Sequence, residues 1–141
     1  MHYKVKRTRA RIIKSALTVF AANGKTGARM SEIVNRAGVN KASLYYHFGS
    51  KDNLYRIVFQ SSLRHAVNKM YSKLLMARLS NKTETIEAID CFWKRHPDIM
   101  KLFVHELTEG GAELGAVLSD KHPGSKAPLH KLVAIFMLLD N

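Results

Sequence analysis

Basic, hydroxyl-bearing and aromatic side chains are grouped in one short segment, which makes it the part of the chain best suited to contact a polyanion. The segment covers residues 37–51 and reads AGVNKASLYYHFGSK. Lysine neutralises phosphate, small residues allow close approach, and hydroxyl groups donate to oxygen atoms. We therefore predict non-covalent binding to DNA. The side chains that carry this prediction are Lys41, Ala42, Ser43, Tyr45, Tyr46 and His47.

Two helices that meet at a short turn are predicted to position this segment. Gly38 can end the first helix in the left-handed conformation, and Asn40 can cap the second helix through its side-chain oxygen. Val39, Leu44 and Phe48 are spaced to pack the second helix on a small core. This arrangement is typical of a recognition helix that enters the major groove of DNA.

The positive charge of the chain is concentrated in its first 60 residues. The 141 residues have a formal net charge of +12. Residues 1–60 hold 12 Lys and Arg against 2 acidic residues, whereas residues 61–141 hold 11 against 9. This asymmetry favours an N-terminal region that binds a polyanion over a surface charged only for solubility. On charge alone, RNA and an anionic membrane surface stay open as alternatives.

Three arginines near the N-terminus have two open interpretations. Arg7, Arg9 and Arg11 lie at the start of the first apolar stripe. They form either a solvated basic helix end or an arm that follows phosphates or enters the minor groove.

Cysteine content and hydropathy indicate a cytoplasmic protein. The single cysteine, Cys91, cannot form an intramolecular disulfide, which fits a reducing compartment and excludes a cysteine-based zinc finger. No apolar run approaches the roughly 18 residues that a membrane-spanning helix needs.

Catalytic motifs are missing from the sequence, so we predict neither an enzyme nor a cofactor. We find no Ser-His-Asp order, no glycine loop for phosphate and no paired carboxylates. His105 and Glu109 are four residues apart, a spacing that can bind a metal on a helix, but no third ligand is evident. A surface pair is therefore the favoured interpretation, and no metal is predicted.

Apolar residues recur at helical spacing, and no segment shows the alternation of a strand. We predict an all-α fold in which a three-helix head is joined by a long fourth helix to a helical body. The DNA-binding domain is expected at residues 1–50 and the regulatory domain at residues 51–141.

Cap and break residues predict the helix boundaries. Thr8 is expected to cap the first helix after a basic arm, and Asn23-Gly24 to end it. Ser50 is expected to cap the fourth helix, and the pair His96-Pro97 to separate two later ones. The remaining predictions are a short helix near residues 113–118, a loop at 122–128 and a buried apolar segment at 129–139.

One helix junction in the body could form an apolar pocket with a few polar groups. Ordinary core packing is the alternative for each of these residues. The predicted pocket residues are Trp93, His96, Met100, Phe103, His105 and Leu107.

Residues 7–59 resemble the DNA-binding head of TetR-family transcriptional regulators. The resemblance implies a helix-turn-helix at residues 30–37 and 40–48, an all-helical body, and a dimeric repressor that a small molecule releases from DNA. The matching segments are VFAANG at 19–24, EIV at 32–34, AGV at 37–39, LYYHF at 44–48 and SKDNL at 50–54.

The resemblance also assigns roles to individual residues. Lys41 and Ala42 would approach base edges, with Ser43 contributing to sequence reading. Lys51 would reach a backbone phosphate at the start of the fourth helix. Three ring-bearing side chains would hold phosphates or thymine methyl groups, namely Tyr45, Tyr46 and His47.

The sequence departs from the family pattern at three places in the head. One is Val34, which stands where alanine is frequent, so a slight change in the helix crossing is expected. Lys25 stands where an aromatic residue is common, so one packing contact of the head is expected to be either missing or replaced by a lysine stem. Ala28-Arg29 stands where hydroxyl residues usually cap the second helix. We expect a weakened cap there and a phosphate contact from Arg29.

The C-terminus departs further, because family members usually have two more helices that pack against a second subunit. Three alternatives follow for a chain that stops at Asn141. It is a fragment, it pairs through residues 129–139, or it has lost the usual dimer face.

Taken together, these features predict a sequence-specific DNA-binding transcriptional regulator that acts as a homodimeric repressor. Its body would sense an apolar or aromatic small molecule, which releases it from a roughly palindromic operator. One alternative is a DNA-binding protein without a ligand switch. The other is a helical scaffold that binds acidic partners or membrane surfaces.

Overall fold

The computed structural model describes residues 2–76 and 82–119, and the predicted all-α fold is confirmed there. No strand occurs in these two ranges. The predicted loop at 122–128 and the apolar segment at 129–139 lie outside the described residues. The helices are α1 (His2–Gly27), α2 (Met30–Ala37), α3 (Lys41–Phe48), α4 (Lys51–Met76), α5 (Lys82–Arg95), α6 (Pro97–Thr108) and α7 (Ala112–Leu118).

Helix α1 starts earlier than predicted, so the basic arm capped by Thr8 is wrong. The helix begins at His2. Residues 2–8 contain no glycine or proline that would oppose a helix. The Arg7 guanidinium lies 5.7 Å from the centre of the Tyr3 ring, one helical turn away. Local propensity and this contact extend the helix toward the N-terminus.

Gly24 ends the regular part of α1, as the sequence predicted. Its backbone has φ 70° and ψ 179°. A Cβ atom at this position would lie 2.0 Å from Glu109 Oε1. The backbone N–H of Lys25 donates to Glu109 Oε2 at 3.1 Å. Glycine therefore allows both the positive φ and the close approach of the segment that follows α6.

One continuous core joins the head and the body. Helix α1 packs against α2 and α4 and also against α6. Thr18 Oγ1 on α1 also donates to Asp98 Oδ2 on α6 at 3.3 Å. Because α1 belongs to both packing units, the head is held directly against α6. The largest fully buried side chains include Phe20, Phe48, Leu54, Tyr55, Phe59 and Leu102.

The later boundaries follow the predicted cap residues. Pro97 occupies the first turn of α6, where its missing N–H costs nothing. The short helix predicted near residues 113–118 is α7. Among the described helices, none combines the length and the apolar character that crossing a bilayer requires.

Candidate nucleic-acid interface

The turn between α2 and α3 has the geometry predicted from its residues. Gly38 is left-handed, with φ 60° and ψ 44°. The backbone N–H groups of Gly38 and Val39 donate to the carbonyls of Asn35 and Val34, each at 3.2 Å. Asn40 Oδ1 accepts a hydrogen bond of 2.7 Å from the backbone N–H of Ser43. The helix-turn-helix is therefore closed at both helix ends by local hydrogen bonds.

Helix α3 has one buried face and one exposed face. Leu44 is 0% exposed and Phe48 is 2% exposed, whereas Tyr46 is 84% exposed. Tyr45 is 40% exposed, and Val39 is only partly buried against the core. Four further residues of α3 are predicted to contact DNA. Lys41 and Ala42 are exposed, and Ser43 and His47 are half-buried.

Two arginines of α1 contact the C-terminal ends of α2 and α3. The Arg9 guanidinium lies 4.6 Å from the centre of the Phe48 ring and donates to the carbonyl of His47 at 3.1 Å. Arg11 donates to the carbonyl of Ala37 and, at 3.0 Å, to that of Gly38. A cation is favourable at the carbonyl end of a helix. Arg9 and Arg11 thus stabilise the head, a role the sequence did not reveal.

The start of α4 carries a lysine with spare donors and a confirmed cap. Ser50 Oγ accepts a hydrogen bond of 3.1 Å from the backbone N–H of Asn53. Lys51 Nζ donates to the carbonyl of Thr26 at 3.2 Å. An ammonium group has three donors, so two donors of Lys51 stay available for a phosphate.

The departures at Arg29 and Lys25 have local structures that agree with the expectations for them. Arg29 is the N-cap residue of α2 and is exposed, and it makes no side-chain cap hydrogen bond. Lys25 Nζ lies 5.4 Å from the centre of the Tyr55 ring and 3.2 Å from Asp52 Oδ1. The lysine side chain therefore occupies space beside an aromatic ring, as a replacement for an aromatic contact would.

The six residues predicted as a ligand pocket are not brought together. Trp93 and Phe103 are in ring contact, with centroids 5.7 Å apart. Met100 and Leu107 are 42% and 62% exposed on the outer side of α6. His96 instead contacts Phe92, with ring centroids 4.5 Å apart and the rings tilted by 32°. A single pocket built from all six residues is therefore a prediction that the geometry does not support.

His105, the sixth of these residues, lies next to the end of α1. Its Nδ1 atom is 3.8 Å from Glu109 Oε1, and both side chains are about one-third exposed, at 34% and 30%. Over residues 2–76 and 82–119, no group of three His, Cys, Asp or Glu side chains is arranged to hold a metal ion. The pair forms part of the contact between α1 and α6.

An open cavity of about 450 Å³ lies between α4 and α5. His96 is the member of the predicted pocket set that lines it, together with Phe92 and Cys91. Cys91 is a half-buried free thiol. The six residues are not all brought together because the inward face of α5 is turned toward α4, which periodicity on α5 and α6 alone does not reveal.

A buried carboxylate, which sequence reasoning missed, connects three helices of the body. Glu106 on α6 is 4% exposed. It accepts a hydrogen bond of 2.6 Å from the Tyr55 hydroxyl on α4. Its other oxygen accepts from the backbone N–H groups of Glu113 at 2.7 Å and Leu114 at 3.1 Å in the first turn of α7. Burial, followed by the bond to Glu106, raises the pKa of Tyr55.

A signal for Glu106 was present in the sequence. Glu106 lies four residues after Leu102 and seven after Ile99, and both of these apolar residues are buried. A carboxylate in an apolar stripe needs a buried hydrogen-bond partner. Nothing in the local pattern names Tyr55 as that partner.

Comparison with known proteins gives a family match for the head. The family model described as "Bacterial regulatory proteins, tetR family" matches residues 12–58. The match covers most of α1, all of α2 and α3, and the first turns of α4.

Several characterised regulators have similar sequences. The transcriptional repressor NicS of Pseudomonas putida is 33% identical over 106 residues, which is 71% of this chain and 48% of NicS. The transcriptional activator FasR of Mycolicibacterium smegmatis is 34% identical over 85 residues, which is 60% of this chain and 38% of FasR. The negative regulator IcaR of Staphylococcus aureus is 42% identical over 45 residues, which is 32% of this chain and 24% of IcaR. The chain spans less than half the length of each relative.

Two solved structures have a similar arrangement of helices. The Streptomyces coelicolor protein SCO4942 aligns with a TM-score of 0.66 at 23% identity, over 79% of this chain and 60% of its own. A structure from work on the control of antibiotic production by a bacterial hormone aligns with a TM-score of 0.60 at 26% identity, over 72% of this chain and 55% of its own. Both alignments extend beyond the head into the helical body.

Proposed function

Because residues 12–58 match the family model of bacterial regulatory proteins of the tetR family, we propose that this chain is a sequence-specific DNA-binding transcriptional repressor. The observation that carries the proposal is the two-faced α3, with Leu44 at 0% and Tyr46 at 84% exposure. A helix anchored in this way presents its outer residues to a groove without unfolding the head. Residues 1–50 would form the DNA-binding domain and residues 51–141 the regulatory domain.

Within the interface, we assign base reading to the first turn of α3. Lys41 and Ala42 are exposed there, and the first turn of a recognition helix contacts base edges. Ser43 contributes to base reading beside them. Arg29 and Lys51 supply phosphate contacts that fix the register, and the ring-bearing side chains hold phosphates or thymine methyl groups, namely Tyr45, Tyr46 and His47.

We further propose that two copies bind a roughly palindromic operator as a homodimer. Two recognition helices fit successive major grooves only when they are about one helical turn, or roughly 34 Å, apart. The apolar segment at residues 129–139 is the candidate contact between the copies. A cytoplasmic location follows from the proposed DNA partner.

A small molecule would release the repressor by moving α4. This helix carries Leu54 and Tyr55 in the buried core beside the head, and Val67 and Met70 in the core of the body. A ligand that binds one arrangement of the body more tightly shifts the population toward it. Any tilt of α4 then alters the spacing of the two heads.

Selection of bound duplexes from a random pool tests the proposal. We expect a consensus with two-fold symmetry. In gel-shift assays on that consensus, Lys41→Ala and Tyr46→Phe should each weaken binding, with about a tenfold loss for Lys41→Ala. Lys101→Ala is the matched control, because Lys101 is an exposed lysine on α6, outside the helix-turn-helix.

Three results would contradict the proposal. A pool that yields no consensus indicates nonspecific binding. Unchanged affinity in both α3 variants removes α3 as the reading element. Anionic vesicles that out-compete duplex DNA would instead support a protein for membrane surfaces or acidic partners.

A further inference from the structure

We propose that the cavity between α4 and α5 binds a small amphipathic anion, a carboxylate attached to an apolar ring or a short acyl chain. This inference rests on the proposed function, because it names the chemical class of the ligand that the body would sense. The cavity, of about 450 Å³, falls within the size range of small-molecule sites.

Three cations line the cavity without an opposing carboxylate. Lys69 and Lys73 come from α4, and Arg95 comes from α5. In the described ranges, none of the three forms an ion pair, whereas the neighbouring Lys94 pairs with Asp90 at 2.6 Å. No Asp or Glu is among the described residues that line the cavity. Cations gathered in a concave site attract an anion.

The floor of the same cavity is apolar. Met70, Ala88 and Phe92 line it and are 8%, 4% and 7% exposed. Two imidazole rings extend this surface, since His96 lies 4.5 Å from Phe92 and 5.2 Å from His65, measured between ring centroids. A flat or flexible apolar body fits this floor while its charged group stays among the cations.

The surroundings of His65 agree with an anion site. Burial, then the nearby His96 and Lys69, lower the pKa of His65. The imidazole is therefore neutral near pH 7 and has one N–H to donate to a bound carboxylate. Arg95 offers the paired donors that suit a carboxylate.

The position of the cavity separates it from the proposed DNA interface. Lys69 lies 18 residues after Lys51 on α4, which corresponds to roughly 27 Å along a helix. A ligand held by Lys69 on α4 and Arg95 on α5 bridges the two helices. It therefore acts on α4 from the body end, while the head end carries Lys51.

The test uses the full chain and the fluorescence of Trp93, which is the single tryptophan and lies 5.1 Å from Phe92 between ring centroids. Phenylacetate and octanoate serve as the two carboxylate probes. Phenylacetamide lacks the charge, and acetate lacks the apolar body. We expect saturable binding of at least one carboxylate probe, with phenylacetamide and acetate each bound about tenfold or more weakly.

Matched variants assign the effect to the cavity. Arg95→Gln and Lys69→Gln should each weaken carboxylate binding about tenfold and leave phenylacetamide binding unchanged. Lys101→Gln removes the same charge from an exposed position on α6 and should change neither. Circular dichroism of each variant shows that the helices are retained.

Several outcomes would overturn the inference. They are phenylacetamide or acetate binding as tightly as the better carboxylate probe, equal effects of Arg95→Gln and Lys101→Gln, or no saturable binding of either carboxylate at millimolar concentration. If the chain selects a DNA consensus but binds no carboxylate, only the anion site is refuted and the proposed repressor function stands. A chain that binds the carboxylate but selects no consensus retains the anion site and loses the proposed repressor function.

Discussion

The hydroxyl of Tyr55 donates a hydrogen bond of 2.6 Å to Glu106 Oε2 and thereby joins α4 to α6 across 51 residues of sequence. The same Tyr55 ring meets Phe20 of α1 edge-on, with centroids 5.0 Å apart. Tyr55 thus contacts the first helix of the head and the buried carboxylate of the body. If α4 moves relative to α6, the hydrogen bond between Tyr55 and Glu106 must break, or Glu106 must move together with Tyr55.

Replacing Tyr55 by phenylalanine tests how much this hydrogen bond contributes to the free energy of unfolding. Tyr55→Phe keeps the ring but leaves one oxygen of the buried Glu106 without its donor. We expect a loss of about 1–3 kcal/mol in the free energy of unfolding, measured by urea denaturation. Tyr46→Phe is the control, because Tyr46 is 84% exposed on the outer face of α3 and lies outside the core. Equal midpoints for the two variants would contradict the prediction.

Alkaline pH should weaken the fold through the same tyrosine. The pKa of Tyr55 is raised in the folded chain, above the ordinary value of 10.0. The unfolded chain therefore loses this proton first as the pH rises, and the free energy of unfolding falls above pH 10.0. The Tyr55→Phe protein should lack this part of the decline. Urea denaturation curves at several pH values below and above 10.0 measure the free energy of unfolding. The prediction would be refuted if this free energy had the same pH dependence in both proteins.

Gly24 should tolerate alanine worse than Gly49 does. Both glycines have positive φ, at 70° and 73°. An added Cβ meets Glu109 Oε1 at 2.0 Å at Gly24 and nothing within 4 Å at Gly49. Gly49→Ala therefore reports backbone strain alone, about 1–2 kcal/mol, and Gly24→Ala adds the displacement of Glu109. Thermal unfolding shows which of the two variants loses more stability. A larger loss of stability for Gly49→Ala than for Gly24→Ala would contradict the prediction.

Arg11 is expected to act on stability. Arg11→Gln removes charged donors from the carbonyls of Ala37 and Gly38, so the free energy of unfolding should fall by about 1–3 kcal/mol. Arg7→Gln serves as the control, since Arg7 contacts only the exposed ring of Tyr3 in the described part of the chain. If Arg11→Gln left stability intact and lowered only DNA affinity, Arg11 would be a phosphate contact instead.

Lys51 is expected to act on DNA binding. Lys51→Ala should lower affinity on all duplex sequences and reduce the slope of log affinity against log salt by about one. Its bond to the Thr26 carbonyl is exposed, so stability should change little. Gel shifts over a salt series measure the slope, with Lys101→Ala as the control. An unchanged slope would exclude a phosphate contact by Lys51.

The features that could be predicted are those decided within about four residues of sequence. The turn at Gly38, the caps at Asn40 and Ser50 and the start of α6 at Pro97 each depend on local dihedral angles and on hydrogen bonds to nearby amides. The two faces of α3 followed from helical period alone, because the period determines which side chains share a face.

The features that could not be predicted depend on how distant helices meet. Arg11 donates to carbonyls 26 and 27 residues away in sequence, and Tyr55 donates to Glu106, which is 51 residues away in sequence. The cavity between α4 and α5 likewise depends on the rotation of each helix about its axis, which moved the candidate ligand site away from Met100 and Leu107. Periodicity marks which face of a helix is buried. It does not say which helix covers that face, because that choice is made by packing the whole core at once.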